Sequence, residues 1–246
     1  MEKSQEKEKE KTFRPFATSM KFILKLIKIL VIVFFASSIT FVVFYRFVNP
    51  PLTPLMVVRS VEQFFDEDRK VQIKKDFVPV EDISPYLIQA VVASEDNLFL
   101  QHSGFDFQQI KIARENAKKK NKVRGASTIT QQCAKNVFLY NKHSWVRKGL
   151  EAYFTVLIEL CWSKERIMEV YLNVIEYGDG VYGAEAAAKH YFNKSAKQLT
   201  KKEAALLAAC LPNPLKRNPA QPTPYIQKRT GQIMRLMDLI GPVKFE

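Results

Sequence analysis

The chain has 246 residues, with 38 Lys+Arg against 25 Asp+Glu and a net charge of +13. An apolar fraction of 47% beside 26% charged side chains excludes wholesale disorder, and eight glycines exclude a collagen-like chain. Three cysteines, Cys133, Cys161 and Cys210, cannot all pair, so no disulfide framework is expected and each reads as a small buried hydrophobe.

The positive charge is local. Residues 1–28 carry eight basic and four acidic side chains, and residues 111–148 carry eleven basic and one acidic. A solvated charge run accounts for Lys118–Lys122. It does not account for Lys135, Arg147 and Lys148, which are interleaved with apolar residues.

In chain order, residues 1–21 form a cytoplasmic tail, whose first stretch, MEKSQEKEKEK, is predicted to be disordered. Residues 22–47 follow as a transmembrane helix. Ile29–Tyr45 is seventeen residues without a charge, about 26 Å of helix. Lys25 and Lys28 can snorkel, and Ser37, Ser38 and Thr40 can bond back to helix carbonyls. Lys21, Lys25 and Lys28 precede the span and only Arg46 follows it closely, which predicts a cytoplasmic N-terminus. Residues 48–246 are then extracytoplasmic, in a periplasm where an outer membrane exists. The main alternative for the span is a cleaved signal peptide. Pro50, Pro51 and Pro54 stiffen the exit from the membrane.

The outer part reads as mainly α. Apolar residues recur at helical spacing over 85–98, 144–161, 163–177 and 200–211. Ser163 is a candidate N-cap, and Thr200-Lys201-Lys202-Glu203 spells a capping box. KVQIKK at 70–75 is the one tempting strand. The basic stretch 111–126 is read as interrupting the helical pattern, within a flexible lobe over about 105–145. A Pro-rich stretch, 212–224, precedes a last amphipathic helix near 225–240.

Three segments carry candidate chemistry. Glu95 continues the apolar stripe Ile88, Val91, Val92, and a carboxylate held against apolar surface is desolvated and suited to general acid or base work. Asp96, Phe99, His102 and Gly104 follow it. In the second, Ser127, Thr128 and Thr130 precede or open a helix whose side carries Gln131, Lys135 and Asn136, a set suited to sugar or phosphate oxygens. In the third, Arg147 lies four residues before Glu151, which should stay ionised. Two carboxylates in opposite environments can divide acid and base roles. Gly178-Asp179-Gly180-Val181-Tyr182-Gly183 matches G-x-G-x-x-G but follows a helical pattern, so no dinucleotide site is expected. His102, His143 and His190 lack metal-ligand spacing.

Together these segments resemble the peptidoglycan glycosyltransferases, a lysozyme-like family that polymerises lipid II. E-D-x-x-F-x-x-H-x-G is complete at Glu95, Asp96, Phe99, His102 and Gly104, and G-x-S-T-I-T-Q-Q-x-x-K-N is complete from Gly125 to Asn136. R-K-x-x-E follows at Arg147, Lys148 and Glu151, then RIMEVYLNVIEYGDGVYGAEAAAKHYF and KKEAALLAACLPNP. Ala126 and His143 depart from the pattern, where members often carry a second Gly and an Arg that helps hold pyrophosphate. The monofunctional type is expected, because no transpeptidase-sized region follows.

The resemblance implies a lysozyme-like helical domain with a small jaw-like lobe. It implies inverting transfer from a glycan chain on a polyprenyl pyrophosphate to the 4-hydroxyl of the lipid II GlcNAc, forming a β-1,4 bond in cell wall biogenesis. Glu95 would be the general base. Lys135, Arg147 and Lys148 would neutralise the pyrophosphate, with Glu151 orienting the donor. Ser127, Thr128, Gln131, Gln132 and Asn136 would bind sugar and phosphate oxygens. Asp96, Phe99 and His102 would help form the substrate site. No cofactor is required, although Mg or Mn is admissible at the pyrophosphate. Expected partners are lipid II, the glycan chain, membrane lipids and cell-wall synthesis proteins, with no nucleic acid. Phe105, Phe107, Val137, Phe138, Leu139 and Tyr140 are expected to meet the outer leaflet. The rival enzyme class is a lysozyme-like hydrolase or lytic transglycosylase, which would not need the Ser127–Lys135 block. The non-enzymatic rival is a membrane-anchored scaffold.

Overall fold

A computed structural model describes residues 2–120, 125–140 and 144–245, with side chains from Met20 onward and excluding 117–120. Lys122, Arg124, Lys142 and His143 lie outside the described residues. The chain divides into two compact units, residues 1–47 and 48–246.

The first unit is one helix, α1 (Glu2–Phe47). Its stretch Met20–Phe47, 28 residues long, is apolar enough to cross a membrane. At 1.5 Å per residue it spans about 42 Å, more than the hydrocarbon core. The hydroxyls inside it do bond back to the helix: Ser37 donates to the Phe34 carbonyl at 3.1 Å, Ser38 to Phe35 at 3.0 Å and Thr40 to Ala36 at 2.8 Å. The tail predicted to be disordered is helical from Glu2, because Glu, Lys and Gln are strong helix formers even without a packing face.

The second unit is a helical domain with a minor sheet. Its helices are α2 (Pro54–Phe64), α3 (Pro85–Glu95), α4 (Phe107–Lys120), α5 (Ile129–Phe138), α6 (Trp145–Cys161), α7 (Lys164–Val174), α8 (Ala184–Phe192), α9 (Lys201–Cys210) and α10 (Pro224–Ile240). Strands β1 (Lys74–Lys75), β2 (Glu176–Gly178) and β3 (Val181–Tyr182) form a sheet in the order β1-β3-β2. β1 runs parallel to β3 with Lys74 opposite Val181, and β2 is antiparallel to β3. Only the last two residues of KVQIKK are therefore strand.

Helix starts follow the local signals. Thr53, Thr128, Ser144, Ser163, Thr200 and Thr223 each accept a backbone N–H from the first turn of their helix. Thr128–Gln131 and Thr200–Glu203 are complete capping boxes, each cap contributing about 1 kcal/mol. The stretch 111–126 does not break the helix as expected, because α4 runs to Lys120. Asp106 caps it, accepting the Gln109 N–H at 2.8 Å, and its Lys, Ala, Arg and Gln residues favour helix without a buried stripe. In the other direction α7 stops at Val174, earlier than its apolar pattern suggests, because Ile175 turns extended to enter β2.

Two helix groups surround the site. In one, α9 packs between α3 and α10, and every residue from Ala204 to Cys210 is buried. Its alanines permit close approach of the flanking helices. In the other, α5 packs on both α6 and α7, burying Ile129, Cys133, Ile158, Ile167 and Leu172 completely. Each such aliphatic side chain contributes about 1.5–3 kcal/mol of burial. All three cysteines are free, with Cys133 and Cys210 buried, and burial pushes the Cys210 thiol up to about 11.

Of the residues expected at a leaflet, Val137 and Leu139 are not available to one, while Phe107 and Tyr140 are exposed. Val137 and Leu139 are buried, and Phe138 stacks on Phe154 with ring centroids 4.6 Å apart, since the last turn of α5 faces α6. Other exposed large apolar side chains include Trp145, Val146 and Leu160 on α6 and Phe64 and Phe65.

Candidate active site

The first motif closes a clasp at the end of α3. Asp96 is buried: its Oδ1 meets His102 Nε2 at 2.9 Å, and its Oδ2 accepts the Ile129 N–H at 2.9 Å. A carboxylate on the first N–H of α5 satisfies an orphan donor and favours the positive end of that helix. Thr128 Oγ1 donates to the Gly104 carbonyl at 2.7 Å. Lys164 donates to the His102 carbonyl at 2.6 Å, and its ammonium lies 4.7 Å from the centroid of the fully buried Phe99 ring. Gly104 sits at φ +83°, and a Cβ there would come within 2.7 Å of Thr155 Cγ2 and 2.9 Å of Glu159 Cγ. Asp96, Phe99, His102 and Gly104 thus hold the end of α3 against the start of α5. Phe99 faces the core.

That clasp places Glu95, half-buried at the last position of α3, beside Gln132 of α5. Gln132 Nε2 donates to Glu95 Oε2 at 3.0 Å, and the hydroxyl of Tyr171 donates to Gln132 Oε1 at 3.0 Å. Tyr171 is fully buried, and desolvation, then the nearby Glu95 charge, hold its phenol far above its ordinary range. The structure therefore supports Glu95 with a neutral amide rather than an apolar wall.

The third motif builds a charged clamp. Glu151 is buried between two cations: Arg147 Nη1 donates to Oε2 at 2.6 Å, and Lys148 Nζ donates to Oε1. Lys148 also reaches Ser127 Oγ at 3.4 Å. Lys135, one helix away on α5, takes no hydrogen bond or ion pair among the described residues. Burial lowers its ammonium from the ordinary lysine value, while the charges of Glu151 and Glu95 act the other way. It is thus a half-buried cation, influenced by both carboxylates, with its donors unused.

These groups open onto adjoining clefts. One, of about 430 Å³, is lined by Ser127, Gln131, Gln132, Lys135, Asn136, Arg147, Lys148 and Glu151. The other, of about 670 Å³, is lined by Ser94, Glu95, Gly125, Ser127, Gln132, Arg217, Tyr225, Lys228 and Arg229. Ser127 and Gln132 line both. A third depression shares Glu95 and Ser127 with the second and adds Asp96, Ala126 and Thr128. Gln131 spends its Oε1 on the Thr128 N–H, leaving its amide N–H groups for the first cleft.

Sequence reasoning missed the far walls. Arg59 of α2 lines the first cleft, held by Glu62 at 2.6 Å and by buried Glu176 at 3.3 Å. Arg217, Lys228 and Arg229 line the second, and Arg217 stacks over the Tyr225 ring at 5.5 Å. The signal for the last three was a modest basic cluster between Lys216 and Arg235; for Arg59 the sequence carries none. Glycines 178, 180 and 183 belong to the β2–β3 turn and the start of α8. At Gly183, φ +85°, a Cβ would meet the Asn173 carbonyl oxygen at 2.8 Å.

Residues 61–238 match the family pattern described as Transglycosylase. A protein of Bacteroides thetaiotaomicron named "Biosynthetic peptidoglycan transglycosylase" is 56% identical over 222 residues, covering 90% of this chain and 89% of that protein. Proteins of the same name from Bdellovibrio bacteriovorus and Caulobacter vibrioides are 53% and 49% identical, covering 86% and 87% of this chain and 83% and 92% of theirs. With the family pattern spanning most of the outer unit and the motif clasp, amide bridge and cationic clamp all inside it, the chain belongs to the transglycosylase family.

Proposed function

We propose that this chain polymerises lipid II into glycan strands, by inverting transfer from a polyprenyl-pyrophosphate-linked chain to the acceptor's GlcNAc 4-hydroxyl. The observation that carries this reading is the adjacency of two unlike clefts, one holding Glu95 and one holding Lys135, across the shared wall of Ser127 and Gln132. The names of the relatives support the peptidoglycan assignment.

The acceptor sugar occupies the cleft of Glu95 and the donor's diphosphate the cleft of Lys135. Glu95 takes the proton from the 4-hydroxyl as that oxygen bonds to the donor's anomeric carbon. The bond from that carbon to the pyrophosphate breaks, and the diphosphate leaves with the electron pair. Attack opposite an α-linked leaving group yields a β-1,4 bond. Lys135, Arg147 and Lys148 stabilise the charge that develops on the leaving group, a preorganised electrostatic task. Glu151 has both oxygens engaged by cations, so it orients Arg147 and Lys148. Ser127, Gln131 and Asn136 supply hydrogen bonds to sugar and phosphate oxygens, while Asp96, Phe99, His102 and Thr128 act from behind, through the clasp. Met20–Phe47 anchors the chain as a single-pass helix, with the N-terminus cytoplasmic and residues 48–246 extracytoplasmic.

The test is the full chain in detergent with labelled lipid II. Polymer is expected, and Glu95→Gln should lower its formation at least ~10²-fold, as for loss of a general base. Cleavage of preformed glycan without polymer would point to a lytic enzyme, and full activity of Glu95→Gln would remove the base assignment.

A further inference from the structure

We propose that Tyr171 is a positioning residue for the base: its hydroxyl fixes the Gln132 amide so that nitrogen, not oxygen, faces Glu95. The proposal rests on the assignment of Glu95 as base and reassigns Gln132 from substrate contact to support of that base.

The geometry is a single file from Tyr171, at the back of the first cleft, through Gln132 to Glu95 in the second. Tyr171 projects from α7, which is buried over most of its length, and its hydroxyl donates to Gln132 Oε1 at 3.0 Å. Gln132 Nε2 then donates to Glu95 Oε2 at 3.0 Å. An amide is ambiguous by shape, and its orientation follows from its partners. In the reverse orientation the amide oxygen would face a carboxylate oxygen at 3.0 Å, and the Tyr171 proton, with no other acceptor among its described contacts, would be left unpaired in a buried place. Both penalties act in the same direction. Burial keeps the phenol protonated, so the donor is present whenever the enzyme works. With Oε2 held by Gln132, Oε1, which takes no hydrogen bond from the described residues, is the oxygen left to receive the acceptor's proton.

The experiment compares Tyr171→Phe, Gln132→Glu and their combination in steady-state lipid II polymerisation by the full chain, with melting temperature measured alongside. Tyr171→Phe removes only the hydroxyl. Gln132→Glu keeps an acceptor for Tyr171 but sets a second carboxyl group against Glu95 in place of the neutral amide donor. Each is expected to lower kcat about tenfold, Gln132→Glu through the lost hydrogen bond to the Glu95 carboxylate and Tyr171→Phe through the freed amide that makes that bond, with KM unchanged. Because the two substitutions interrupt one file, the double variant should fall no further than the more impaired single. A bond that merely braces α7 against α5 would survive Gln132→Glu. Full kcat in that variant, or in Tyr171→Phe, overturns the proposal, as do losses confined to KM. If Glu95→Gln stays active, the base assignment itself fails. If it is inactive while Tyr171→Phe is unimpaired, only the role of Tyr171 fails.

Discussion

The two clefts hold their carboxylates in opposite ways. Glu151 is buried and clamped by Arg147 and Lys148, with neither oxygen left over. Glu95 is half-buried and touched by one neutral amide, with an oxygen to spare. Both sit beside the same ammonium of Lys135. A carboxylate with both oxygens bonded to cations can orient them but has no oxygen left to take a proton. One supported by a neutral donor keeps a lone pair for a proton. Division of labour between two acids therefore follows from what each is bonded to, more than from how deeply each is buried.

Breaking the clamp should have the largest effect. Glu151→Gln leaves the mostly buried Arg147 without its counter-charge, and removal of one partner from a buried pair costs about 3–5 kcal/mol. A clear fall in melting temperature and near-complete loss of polymerisation are expected. Unchanged unfolding would show that the clamp is not held by charge. The Glu95 side should be broken through its backbone. Gly104→Ala forces a Cβ into Thr155 and Glu159 at positive φ, and such strain costs about 1–3 kcal/mol before any clash. Thermal unfolding of that variant below the parent, with activity lost in step, is the expected outcome.

Smaller effects sharpen the assignment of ligands. Lys135→Met should weaken competition by inorganic pyrophosphate about tenfold or more, since hydrogen bonds to charged groups contribute about 1.5–3 kcal/mol. If competition is unchanged, the diphosphate does not lie in this cleft. The last prediction is one of pH. Lys135 is charged below its pKa, and burial lowers that pKa from the ordinary lysine value, so its charge is lost earlier as pH rises. Inorganic pyrophosphate should therefore compete less well as pH rises, starting below the range where a free lysine titrates. Lys135→Arg should flatten that dependence, because a guanidinium stays charged. A dependence identical in both would assign it to another group.

Much of the molecule was legible in its residues. The apolar run of α1, the capping boxes at Thr128 and Thr200, and the spacing of the motif blocks are local features, and local propensity and hydrogen bonding decide them. Reading apolar periodicity failed at α4 and the N-terminal tail, which are helical although their strong helix formers carry no apolar stripe in sequence. It failed again at Val137 and Leu139, whose apolar character reports burial and not exposure to lipid. What only the tertiary structure decided is which residues meet. Tyr171 is 39 positions from Gln132 and Gln132 is 37 from Glu95, and no periodicity links them. Arg59, Arg217 and Arg229 reach the clefts from α2, the Pro-rich stretch and α10, because α9 draws α3 and α10 together while α5 is held on α6 and α7. Sequence composes each helix from neighbours a few residues apart. The clefts are the space left where the two helix groups adjoin, and their shape is set by long-range packing that short-range chemistry does not encode.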